Sequence, residues 1–137
     1  MPLDPVLVAD TKAWLTKAAN DLRGADIDLA ASPPLIEDAL FHCQQAAEKA
    51  FKAFLTFHNR AFRKTHNLEE IGKACAEIDG TLKPLVDEAV PLTEFAWAFR
   101  YPGDPTPPQA AEAQAAFALA KKILEAVLSR IAPEAHP

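Results

Sequence analysis

His42, Gln45, Lys49 and Lys52 recur at spacings of three and four, so on a helix they fall in one polar stripe. An imidazole, an amide and two ammonium groups in a row suit a polar ligand or a partner surface. The alternative is a solvated face, with Glu48 and Lys52 as an i,i+4 pair in the favourable order. Beside this stripe runs an apolar one, Leu40, Cys43, Ala47, Ala50, Phe51, Phe54 and Leu55, with Gln44 and Glu48 between the two. Two further groups stand out. Arg100 follows an aromatic run and precedes Tyr101-Pro102-Gly103, so it sits where a helix gives way to a stiff loop, and its planar fork suits phosphate. His66 precedes a short helical pattern; it reads first as a structural imidazole, and otherwise as a ring facing the same polar cavity as Gln45 and Lys49.

Other chemistries find little support. His42, His58 and His66 have no i,i+4 partner and few nearby carboxylates, so no metal set is expected. Cys43 and Cys75 have no Cys-x-x-Cys companion and read as buried free thiols. The four glycines are scattered, so no phosphate-cradling loop exists, and no cofactor is implied beyond a nucleotide as ligand. A net charge of −5 argues against broad nucleic-acid coating. It leaves room for a local cationic patch at Arg60, Arg63 and Lys64, read equally as phosphate binding or as cations at a helix C-terminus.

These groups must be positioned by helices. At 137 residues, half of them hydrophobic, the chain reads as one domain with a core over about residues 10–131 and a disordered tail at 132–137. There is no long apolar run and no leader pattern, so a cytoplasmic protein without a membrane segment is expected. Periodicity predicts helices over about 11–31, 35–59, 67–78, 81–100 and 108–131. Ser32, Asn67 and Thr81 are the expected N-caps, and Pro91 should break the fourth helix near Val90. The expected fold is an all-α up-and-down bundle of four long helices and one short one.

Three segments in order resemble the HEPN domain. They are Phe41 to Lys52 with its Gln44-Gln45-Ala46-Ala47-Glu48-Lys49 run, Lys64-Thr65-His66-Asn67-Leu68 (Asn where Asp is usual), and Arg100-Tyr101-Pro102-Gly103. The opening Trp14, Ala18, Asp21, Leu22 and Ala25 are similar to the family's first helix. The resemblance implies a homodimer, and the aromatic segment Phe95 to Tyr101 is the candidate for part of its interface. It also implies a choice of roles. Ribonuclease members carry Arg, four to six residues, then His, acting together across a dimer seam. Here no His follows Arg100 until His136, so that mechanism lacks its acid/base. The favoured role is a nucleotide-binding or partner module for a minimal nucleotidyltransferase, in a toxin–antitoxin-type pair, with His42, Gln45, Lys49, Lys52, His66 and Arg100 as ligand-binding residues. Tyr101, the single Tyr, is the candidate for modification by such a transferase. The rivals are an RNA-cleaving toxin that uses Arg100 without the His, and a helical interaction bundle with no ligand.

Overall fold

The computed structural model describes residues 2–99, 101–103 and 106–137. Five α-helices appear in chain order: α1 (Pro5–Ala30), α2 (Ile36–Phe57), α3 (Leu68–Ile78), α4 (Lys83–Ala89) and α5 (Ala110–Leu128). No strand occurs among the described residues. The all-helical bundle is therefore as the periodicity predicts.

The middle of the bundle is α2. It packs against α1, α3, α5 and the 90–96 segment, and 14 of its 22 residues are buried. Ala39, Ala46, Ala47, Ala50 and Ala53 are all fully buried on it. Small side chains let neighbouring helices approach on several sides, while Leu40, Phe51, Phe54 and Leu55 fill the spaces between them. Residues 31–35 are a short link, so α1 folds back along α2 as a hairpin.

Several boundaries differ from expectation, each for a local reason. Helix α1 starts at Pro5 rather than near Thr11, because the Asp4 carboxylate accepts from the Val6 N–H at 2.9 Å and Pro suits the first turn. Ser32 does not cap α2; Leu35 occupies that position without a side-chain bond, and Glu37 and Asp38 in the first turn complement the helix dipole. Asn67 does cap α3, accepting from Glu69 and Glu70 N–H at 2.9 and 3.3 Å. Thr81 is not a cap but is itself capped: Asp79 accepts from its N–H and its hydroxyl, closing a 3-10 turn over Gly80–Leu82. The fourth rod is composite, α-helical to Ala89 and 3-10 over Val90–Ala96, the change falling at Pro91 as expected.

The C-terminal tail, expected to be disordered, is placed against the bundle: Pro133–Ala135 form a 3-10 turn that packs on α1, and Ala135 is fully buried. His136 Nε2–H donates to the Leu128 and Ile131 carbonyls, both at 3.0 Å, clamping the tail to the turn that follows α5. Composition alone suggested disorder; a few apolar atoms and a polar clamp suffice to dock the tail.

One glycine is required by packing. A Cβ on Gly72 in α3 would stand 2.5 Å from Val86 Cγ1 of α4. Overpacking of this kind costs about 1–3 kcal/mol, against at most about 1 kcal/mol of helix propensity gained. Gly72→Ala is expected to lower the melting temperature by a few degrees. The Val86→Ala background should reduce that loss; a stabilised single variant would show that α3 and α4 are not in this close contact.

Candidate functional site

The polar stripe of α2 does not face open water. It divides into two clusters, each built on a carboxylate.

The first centres on Glu48, whose side chain is 4% exposed. Its Oε2 pairs with Lys52 Nζ at 2.9 Å, one turn on, and its Oε1 lies 2.7 Å from His66 Nδ1. Gln44 Nε2 donates to the same Oε1 at 3.1 Å and to the His66 carbonyl at 3.3 Å, and Gln45 donates to Gln44 Oε1 at 2.6 Å. Lys52 Nζ also stands 5.5 Å from the Trp14 ring and 5.7 Å from the Phe62 ring. Thus Gln45, Lys52 and His66 meet, but around an internal ion pair that pins the connector between α2 and α3 onto α2. Burial alone would raise the Glu48 pKa. The hydrogen bonds from Lys52, His66 and Gln44, with the Lys52 charge, outweigh it and hold the carboxyl below its ordinary value.

The second centres on Asp21 of α1. His42 Nδ1 lies 2.9 Å from Asp21 Oδ1 and Lys49 Nζ 2.6 Å from Oδ2. His42 Nε2 faces Asp38 Oδ2 at 3.4 Å. Asp28, in the last turn of α1, is 8% exposed, and its Oδ2 has no hydrogen-bond partner. Burial, then a hydrogen bond and the like charge of Asp38, push the Asp28 pKa up to about 6, partly opposed by His42. The reading that His42 has no i,i+4 partner needs correcting on this point. His42 does have a partner one turn back, Asp38, and donor atoms of Asp28, Asp38 and His42 lie within 4.8 Å of one another.

Asp21, Asp28 and Asp38 were missed as site residues. Asp21 and Asp28 are seven apart beside the heptad-spaced Ala18 and Ala25, so two carboxylates bordering an apolar seam were the available signal.

The remaining candidates lie elsewhere. Arg100, the proposed phosphate ligand, falls outside the described residues. Tyr101 is 75% exposed and Trp97 57% exposed. Arg60 pairs with Glu77, and Arg63 takes both Glu70 oxygens at 2.9 and 2.8 Å, so these cations turn towards α3 rather than the end of α2. Around them lies a concavity of about 460 Å³ lined by Arg60, Phe62, Arg63 and Lys73 among others.

Cys43 and Cys75 are fully buried and unbridged, and burial pushes both thiols up to about 12. At pH 8 that leaves a thiolate fraction of about 10⁻⁴. Native protein is expected to resist alkylation by iodoacetamide and to take up two adducts in guanidinium, read by mass spectrometry. Rapid native labelling of either Cys would mean that its helix opens.

The family model for the HEPN domain matches residues 11–131. The chain belongs to this family. No curated protein and no solved structure matches it. Among the described residues no helix is long and apolar enough to cross a membrane.

Proposed function

We propose that this chain is a non-catalytic HEPN module, the partner of a minimal nucleotidyltransferase in a toxin–antitoxin-type pair, acting as a homodimer in the cytoplasm. The observation that carries this reading is the fate of the only His after Arg100. His136 is bonded to the Leu128 and Ile131 carbonyls, which supports reading it as a structural imidazole rather than as the acid/base of the family's ribonuclease motif. What the molecule offers a partner is an aromatic edge, Trp97 and Tyr101, next to the buried Phe95. Large aromatics at the centre of an interface commonly supply much of its binding energy.

The test is co-expression with a neighbouring nucleotidyltransferase. Co-purification that weakens at least tenfold in Trp97→Ala supports the reading, as does an adduct on Tyr101 after incubation with nucleotide. RNA cleavage by the purified chain, abolished by Arg100→Ala, would replace it with the ribonuclease reading.

One observation favours nucleotide binding as a second reading. The concavity beside α3 is lined by an aromatic residue, Phe62, and two guanidinium-bearing ones, Arg60 and Arg63. A phosphate there must displace Glu70 and Glu77 from their Arg partners. A melting-temperature rise with one nucleotide, lost in Arg63→Ala, would support it; no shift with any nucleotide would leave the protein partner as the ligand.

A further inference from the structure

The α1–α2 hairpin brings three groups of metal-ligating type to one point. Asp28 lies in the last turn of α1, Asp38 in the first turns of α2, and His42 one turn further. One donor atom from each lies within 4.8 Å of the others. His42 Nε2 and Asp38 Oδ2 are already 3.4 Å apart, close to the tetrahedral edge of about 3.3 Å that zinc–ligand bonds of about 2.0–2.1 Å require.

Two independent features show that these groups are arranged rather than merely near. The first is Asp21. Its Oδ1 lies 2.9 Å from His42 Nδ1, which turns Nε2 to the Asp38 side. Lys49 holds the other Asp21 oxygen at 2.6 Å. A carboxylate behind the distal nitrogen is the usual support of a metal-bound imidazole, fixing tautomer and ring orientation. The second feature is Asp28. Among the described residues its Oδ2 is the single buried side-chain polar atom without a hydrogen-bond partner, on a residue more than nine-tenths buried. Two carboxylates this close need something between them: a shared proton can hydrogen-bond Asp28 to Asp38, and a cation there would serve the same end.

We propose that Asp28, Asp38 and His42 bind a divalent transition-metal ion of the zinc class, with Asp21 as the residue that positions His42. One imidazole with two carboxylates suits zinc better than magnesium or calcium, which prefer oxygen-only sets. Three protein ligands leave a fourth position for water, on the side where the Asp38 side chain is 56% exposed. The ion joins the end of α1 to the start of α2, so its effect is to lock the hairpin.

The full-length protein, stripped with a chelator, is titrated with zinc chloride by calorimetry and by thermal melting, with magnesium chloride as control. One zinc per chain and a raised melting temperature are expected. Asp38→Asn changes an exposed side chain and should fold normally while weakening zinc at least tenfold. Asp28→Asn should melt higher than the wild type without metal and yet lose the zinc response, which separates loss of the site from loss of the fold. Cobalt in place of zinc should give a visible d–d spectrum in the wild type, and its loss in Asp21→Asn would report the misplaced imidazole. Zinc affinity unchanged in both Asp28→Asn and Asp38→Asn, or no binding at millimolar zinc, would overturn the proposal.

Discussion

Glu48→Ala is expected to destabilise this protein by about 3–5 kcal/mol, the usual result of stripping one partner from a buried ion pair. Lys52, 8% exposed at its side chain, would be left charged without its carboxylate, and Gln44 and His66 would lose their common acceptor. For a domain of this size the melting temperature should fall by about 10–20 °C. The effect is also local. Glu48 holds His66, and Lys52 lies against Phe62, so hydrogen exchange should speed up first in the connector between α2 and α3. Replacing both charges, as Glu48→Leu with Lys52→Met, should recover most of the loss, because the unpaired charge rather than the missing contact carries the cost. A Glu48→Ala variant that loses less than about 1 kcal/mol would mean that water reaches Lys52.

Asp28→Asn is expected to do the opposite. Its pKa stands at about 6 when folded, against an ordinary 3.8, so the folded protein holds a proton that the unfolded chain has released between those values. Stability contributed by this group therefore falls as pH rises through that window, and the penalty is fully present above it. In chelated protein at pH 7.5, Asp28→Asn should be more stable than the wild type by on the order of 1–3 kcal/mol. At pH 4 the difference should nearly vanish. Glu48 has the reverse sign: its pKa is depressed, so its contribution is present above its ordinary 4.5 and lost as pH falls through the lower folded value. Taken together, the two contributions peak near pH ~4, where the gain from Glu48 gives way to the loss from Asp28. Chemical denaturation from pH ~3 to 8 measures both, and a flat difference between wild type and Asp28→Asn would show that Asp28 is ionised throughout.

These opposite outcomes come from two carboxylates that look alike in the sequence. Glu48 precedes Lys52 by four residues, so their pairing was readable from helix periodicity. Asp28 follows Ala25 at the edge of an apolar seam, and nothing local to it names Asp38 or His42 as neighbours. Those contacts exist because residues 31–35 return the chain and set the end of α1 against the start of α2.

The helices, the break at Pro91, the Asn67 cap and the family were set by local rules, spacing of three and four and the missing proline N–H, which act within a few residues. The polar stripe of α2 was also legible as a stripe, but its surroundings were not. Whether Lys52 meets water, a ligand or Glu48 beneath two aromatic rings depends on where α1 and the α2–α3 connector pack. The docking of residues 132–137 likewise rests on a His136 clamp and on a turn seated against α1. Periodicity assigns a residue to a face of its own helix; only the packing of the other helices decides what that face meets, and burial against a carboxylate or a cation then decides its charge.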